Sequence, residues 1–310
     1  MFFQTSGRSI RNRVHSLAVT PAASVRELPA TTTPKQQHSS SQIEPLTSNR
    51  SSTNSDSAPV ESKAEAMSDV YWKVAEDYTR VIRIISFGRD AAWKKAFIKK
   101  MAPSPGEKLI DVAGGTCEIT KYYLEYQDKV NGDCMSIVHV VDFNPGMLSV
   151  GKRRLANTQW MRDGRVTFAQ GNAENLVDIP DNSFDAYTIS LGMHNLENRD
   201  RALAEAYRVL KPGGRFACLE FGVVEAPVLR AYINWLWDHV LPHVVKALTA
   251  NHVSFMKMVR SGRAFPHQRE FVKTIRNAGF YCHGQGYETI RHGMMIAYLG
   301  IKPKYALQKE

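Results

Sequence analysis

A chain of 310 residues that is 43% hydrophobic can bury one large core or two small ones, and it is too apolar to be disordered throughout. Its formal net charge of +10 admits an anionic partner. No run of basic residues interleaved with aromatics would track a nucleic-acid strand, however, so no nucleic acid is expected. No uninterrupted apolar run reaches about 18 residues, the length a spanning helix needs. The stretch from Tyr232 to Val245 is broken by Asp238, His239 and Pro242. Cys117, Cys134, Cys218 and Cys282 form no C-x-x-C pair, so neither a metal site nor a disulfide framework is expected.

Residues 1–66 differ from the rest, being rich in Ser, Thr, Pro, Gln and Arg. Arg8, Arg11, Arg13 and Arg26 all precede the first carboxylate, Glu27. An Arg-rich, Ser-containing, acid-free start reads as a mitochondrial transit peptide, with a disordered basic tail as the plainer alternative. Residues 30–64 read as a disordered linker. The expected organisation is a transit peptide and linker over 1–66, then one domain over 67–310 with a helical insertion at about 227–264.

Along that domain, Tyr71, Val74, Tyr78 and Ile82 share one helical face, and Trp93 and Phe97 resume the pattern until Pro103, Pro105 and Gly106 end it. A first strand is expected over 108–113, a helix of about two turns from Ile119, and a second strand over 137–143. Pro145 suits the first turn of a helix running through Arg154. A third strand covers 166–170. The fourth, 184–190, is almost continuously apolar, as a central strand buried on both faces should be. An amphipathic helix over 199–210 is expected to be capped by Lys211-Pro-Gly-Gly214, with a fifth strand over 215–221. About 40 mostly helical residues follow. A helix ending near Asn277-Ala-Gly-Phe280 and a hairpin of 281–288 with 292–301 would complete the sheet. The fold class is α/β: a doubly wound, mostly parallel, seven-stranded sheet with a helical lid.

The chemistry starts at the first strand, which ends in Asp111-Val-Ala-Gly114-Gly115-Thr116. Glycines let the backbone approach a ligand closely because no Cβ intervenes. Asp142, closing the second strand, is placed to accept hydrogen bonds from two ribose hydroxyls. The G-x-G-x-x-G spacing of dinucleotide binders is absent, so an adenosyl ligand is the better reading.

Further motifs accompany this loop: Asp142-Phe-Asn-Pro-Gly-Met-Leu148, Asn172-Ala-Glu174, Ile189-Ser190, Tyr207 through Arg215, Leu219-Glu-Phe221, Leu241-Pro242, Phe265-Pro266 and Ala278-Gly-Phe280. With them the chain, from about Val74 to Lys302, resembles the class I S-adenosylmethionine-dependent methyltransferases, and within these the ubiquinone/menaquinone biosynthesis C-methyltransferases. The resemblance implies S-adenosyl-L-methionine as cofactor and methylation of the ring of a polyprenyl benzoquinol. It also implies a mitochondrial enzyme peripheral on the matrix face of the inner membrane, working with other ubiquinone-biosynthesis proteins in a membrane-associated complex. A homodimer is compatible with it.

The same resemblance puts Gly114, Gly115 and Thr116 beside the methionine part of the cofactor, Asp142 on its ribose, Asn172 and Ala173 against its adenine, and Ser190 under it. The plainer readings are a helix cap for Thr116, a turn residue for Asn172 and a small packing residue for Ser190. There are two departures from the family pattern. Gly115-Thr-Cys-Glu118 stands where the family has Gly-Thr-Gly-Asp. Leu191-Gly-Met-His-Asn195 stands where it often has Phe-Gly-Ile-Arg-Asn. His194 thus takes the place of an arginine and becomes the candidate base, with a solvent-exposed loop histidine as its alternative. Tyr78 is a second polar candidate, and Asn195 could orient the ring. Two other classes remain open: a catalytically weak scaffold with this fold, and a methyltransferase for RNA or protein.

Overall fold

The computed structural model describes residues 75–305, apart from 76, 85, 87 and 291. The chain divides into Met1–Asp56 and Ser57–Glu310, and every described residue belongs to the second unit. The expected transit peptide and linker over 1–66 lie outside the described residues, as do Tyr71 and Val74.

Residues 77–84 form helix α1, followed by α2 (Asp90–Met101), β1 (Lys108–Val112), α3 (Glu118–Tyr126), β2 (Ile137–Asp142), α4 (Pro145–Leu155), the single turn α5 (Gln159–Arg162), β3 (Val166–Gln170) and β4 (Phe184–Ser190). Then come α6 (Arg199–Val209), β5 (Leu210–Phe221), α7 (Pro227–Trp235), α8 (Leu241–Leu248), α9 (His252–Arg263), α10 (Gln268–Asn277), β6 (Tyr287–Ile290) and β7 (Met295–Ile301). The strands make one seven-stranded sheet of order β3-β2-β1-β4-β5-β7-β6. β1 to β5 pair in parallel, and β7 is antiparallel to both β5 and β6. This is the doubly wound α/β fold expected. Strand order reverses between β1 and β4, so a crevice opens at their carboxyl ends, where ligands bind in such sheets.

The centre of the sheet is dry. Leu109, Ile110, Ala186, Tyr187, Ile189, Phe216 and Ala217 are fully buried, with α6 and α10 packed on one face and α2 and α3 on the other. A third, smaller cluster of Val81, Val245, Phe255, Met258 and Val259 ties α1 to α8 and α9.

Three local expectations are corrected. Helix α6 has no glycine cap, because Leu210 is already extended (φ −74°, ψ 139°) and Lys211-Pro-Gly-Gly214 forms the start of β5. The pairing of β4 with β5 is irregular there, between Phe184 and Ala186, and that irregularity accommodates the turn-like residues. Helix α3 runs on through a wide turn to Asn131, because Gln127 bonds Ser104 O, Tyr123 Oη and Ser136 Oγ, partners that local periodicity cannot reveal. The last hairpin is shorter than expected, with Tyr281 joining only by an isolated bridge to Ile301.

Candidate active site

The loop after β1 folds tightly because glycines permit it. A Cβ on Gly114 would lie 2.7 Å from Asp111 O and 2.9 Å from its carboxyl carbon, and one on Gly115 would lie 2.8 Å from Asp142 Oδ2. The Gly115 N–H therefore reaches Asp142 Oδ2 at 2.9 Å, while Asn144 N–H donates to Asp142 Oδ1 at 2.8 Å. Each carboxylate oxygen keeps a second acceptor site, enough for two vicinal hydroxyls. Asn144 also caps α4 by accepting from Met147 N–H.

The surrounding backbone is strained. Ala113, Cys117 and Leu191, all beside this crevice, adopt φ of 53°, 58° and 53° without being glycine. Such conformations cost of order 1 kcal/mol each and concentrate at functional sites. The helix α3 N-cap is Cys117 and makes no side-chain cap bond, so Thr116 does not serve as the cap.

These elements surround a cavity of about 1040 Å³, a figure that includes the solvent-filled mouth. Gly114, Thr116, Asp142, Asn172, Ala173 and Ser190 line it, and so do Tyr78 and Asn195. Gly115 stands just behind, fixed to Asp142. Asn172 is also a turn residue, its Oδ1 accepting from Glu174 N–H at 2.9 Å. His194 is not among the lining residues. It is 2% exposed, an interior side chain rather than a solvent-facing one. Its Nδ1 lies 2.8 Å and 3.1 Å from the two oxygens of Glu220.

Three lining or clasping groups escaped the sequence reading. Asp111, fully buried, accepts from Thr120 Oγ1 (2.7 Å) and Thr188 Oγ1 (2.8 Å). Burial pushes its carboxyl up to about 6 against those hydrogen bonds. Lys94 pairs with Glu118 and, at 3.4 Å, with Asp90. Arg154 donates to Thr116 O (2.5 Å) and Thr79 Oγ1 (2.6 Å), joining the glycine loop to α1. Burial also pushes Asp142 up to about 6, and it pushes the Tyr78 hydroxyl well above its usual range, with Glu118 and Glu220 adding to the effect. Tyr78 therefore stays protonated, the form of a hydrogen-bond donor rather than of a base. A charged residue inside an apolar run, as Glu220 is in residues 216–221 of β5, was the one available signal of a buried polar partner.

A glycine loop after β1, an acid closing β2 and a crevice at the reversal of strand order are the constellation of a class I S-adenosylmethionine-dependent methyltransferase. The residues present fit that cofactor, since the two approached glycines leave room for it and Asp142 retains the acceptors its ribose needs. Solved structures agree on the fold. A Thermotoga maritima S-adenosylmethionine-dependent methyltransferase, described as a possible histamine N-methyltransferase, superposes with a TM-score of 0.52 at 18% identity, covering 76% of this chain and 99% of that one. The pyocyanin biosynthetic protein PhzM gives 0.53 at 18% identity, over 75% and 60%.

Sequence comparison narrows the class. The model of the ubiE/COQ5 methyltransferase family matches residues 59–302, and the chain belongs to that family. It is 39% identical over 249 residues to the mitochondrial 2-methoxy-6-polyprenyl-1,4-benzoquinol methylase of Schizosaccharomyces pombe, covering 79% of this chain and 81% of the relative. To the ubiquinone/menaquinone biosynthesis C-methyltransferase UbiE of Brucella anthropi it is 42% identical over 221 residues, covering 70% and 81%.

Proposed function

We propose that this methyltransferase methylates a ring carbon of a polyprenyl benzoquinol in ubiquinone biosynthesis. The observation that carries this reading is the likeness to the fission-yeast benzoquinol methylase over four-fifths of both chains. The mitochondrial designation of that relative, together with the acid-free, Arg-rich start of this chain, supports a mitochondrial address, with residues 1–66 as transit peptide and linker and 67–310 as the catalytic domain. A substrate with a polyprenyl tail favours a peripheral position on the inner membrane and work beside other ubiquinone-biosynthesis proteins.

When bound, S-adenosylmethionine supplies an electrophilic methyl group on a sulfonium cation. Asp142 holds the ribose, Gly114 to Thr116 the methionine end, Asn172 and Ala173 the adenine, and Ser190 the floor. Asp111 and Glu118 turn negative charge toward a positively charged ligand, and Lys94 keeps Glu118 oriented. On the quinol side, a ring becomes nucleophilic as its hydroxyl loses a proton, so the protein's work is alignment and proton uptake. The Tyr78 hydroxyl donates to the ring's oxygen and Asn195 orients the ring, both from the cavity wall, whereas His194, expected as the base, is buried behind that wall and takes the proton only if its loop opens. The helices α7 to α9 serve as the lid over the tail.

Mass spectrometry of a polyprenyl benzoquinol incubated with the protein and methyl-labelled S-adenosylmethionine should find one labelled methyl on a ring carbon. His194→Ala should lower turnover about 10²-fold, the usual worth of a general base, with cofactor affinity retained. Absence of any C-methylated product with wild-type protein would sink the substrate assignment.

A further inference from the structure

We propose that Arg154 is a positioning residue for the cofactor. It latches helix α1 onto the glycine loop through Thr79, and S-adenosylmethionine enters or leaves only when that latch opens. The inference rests on the cofactor, with its methionine end beside Thr116, and is independent of which acceptor receives the methyl group.

The latch is built from α4. That helix packs hard against the loop at Gly151, where a Cβ would lie 2.3 Å from Gly115 O and 2.5 Å from Cys117 Sγ. Arg154, three residues on, shares that face and lies in the last turn of the helix. A cation there is favoured by the helix dipole alone. The guanidinium does more, because its two terminal nitrogens donate to other elements. One reaches Thr116 O of the loop at 2.5 Å, and the other reaches Thr79 Oγ1 of α1 at 2.6 Å. Glu118 Oε1, at 3.7 Å, is near enough to pair in charge but not to accept a hydrogen bond. A span between two acceptors suits the planar guanidinium fork and not the compact ammonium of lysine.

Both ends of the latch belong to the cavity wall. Thr116 lines the cavity from the loop, and Tyr78, the neighbour of Thr79, lines it from α1. Helix α1 is moored a second time, on the side of α8 and α9. There Thr249 Oγ1 donates to Asp77 Oδ2 at 2.7 Å, and Val81 is fully buried with Val245 and Phe255. With the Arg154 end broken, α1 stays attached to α8 and α9 and moves with them, carrying Tyr78 away from Thr116. Arg154 thus joins the rigid cofactor loop to the part of the molecule that opens.

The Arg154–Thr79 bond is made between protein groups, so it resists opening with or without cofactor. Removing a hydrogen bond to a charged group should make opening about 10-fold easier. The Arg154 side chain is 23% exposed, so water satisfies the guanidinium once Thr79 no longer accepts from it. An easier opening speeds entry and release alike, and their ratio, the affinity, moves little. A group that merely shapes the loop behaves differently: its loss speeds release and leaves entry unchanged.

The test is Thr79→Val in the full chain, which keeps the shape of the side chain and removes its acceptor oxygen. Stopped-flow binding of S-adenosylmethionine should show association and dissociation both about 10-fold faster, with the dissociation constant changed much less than either rate. In the protein without cofactor, hydrogen exchange should quicken over residues 77–84 and keep its wild-type rate in β1 and β4. Thr79→Ser, which retains the oxygen, should behave as wild type. Arg154→Met should quicken α1 exchange as Thr79→Val does, and adding Thr79→Val to it should quicken it no further, since both act through one bond. If Arg154→Met does not fold, Thr79→Val against Thr79→Ser decides alone. Wild-type rates in Thr79→Val, or faster release with unchanged association, overturn the inference. No methyl acceptor is present in these measurements, so a failure of the quinol reading leaves them unmoved and is read separately.

Discussion

The cofactor side of the site, from β1 to β4, and the helices α7 to α9 hold their shape by different means. Around the glycine loop nearly every polar group has a named partner, the backbone is bent into unfavourable φ values, and the loop rests on a buried central sheet. Helix α7, by contrast, has no buried residue, and Tyr232 and Trp235 are 57% and 53% exposed. What anchors α8 and α9 is the small cluster around Val245 and Phe255. Segments with few buried apolar contacts open at lower free-energy cost than the core does. One side is thus prepared for a ligand of fixed shape. The other can open at lower cost.

That comparison can be broken most directly at Phe255. The ring is fully buried in the cluster shared by α1, α8 and α9, and phenylalanine-to-alanine changes in such places cost about 3–5 kcal/mol. Phe255→Ala should lower the stability measured by chemical denaturation by that order. The rise in melting temperature given by S-adenosylmethionine should survive, because the ribose and methionine contacts lie elsewhere. Loss of that rise together with stability would mean that the two regions are one cooperative unit.

The converse change is Asp142→Ala. Two charge-assisted hydrogen bonds to the ribose would be lost at about 1.5–2 kcal/mol each, or roughly 10²- to 10³-fold in cofactor affinity. Calorimetry should show that weakening, and the thermal shift should nearly vanish while the unliganded protein stays folded. An unchanged affinity would remove the ribose assignment.

The same contrast governs what could be read from the sequence. The sheet was legible because its strands are apolar runs closed by turn residues, and β3 and β4 begin and end where that pattern places them. Six of the seven expected cofactor residues line one cavity, since position at a strand's carboxyl end is fixed by strand order alone. Less was legible wherever a side chain's role depends on a distant partner. The π turn at Gln127 and the α6–β5 junction are set by tertiary contacts. His194 looked like a loop residue because nothing near it in sequence announces Glu220, 26 residues further on. Asp111 was passed over because an acid in a buried strand end has no local pattern, only an energetic cost.

That cost gives the last prediction, the smallest in size. The Asp111 carboxyl is fully buried and pushed up to about 6 from an ordinary 3.8, so the folded protein binds this proton more tightly than the unfolded chain does. Its favourable contribution is therefore complete below about pH 4 and is lost as pH rises through about 6, where the folded state must hold an ionised carboxylate. Asp111→Asn removes that liability, and Thr120 and Thr188 can still satisfy the amide, one hydroxyl donating and the other accepting. At pH 8 the unliganded variant should be more stable than wild type by up to about 3 kcal/mol, the equivalent of about two pKa units, and the gap should close toward pH 4. Cofactor affinity should move the other way, falling in the variant, because the negative charge that weakens the empty protein is the one that faces a cationic ligand. Denaturation curves at pH 5 and pH 8, with and without S-adenosylmethionine, measure both effects. A stability difference that is the same at the two pH values would show that Asp111 is already ionised in the folded protein at pH 5, so that burial does not raise its titration and its charge is not the liability proposed.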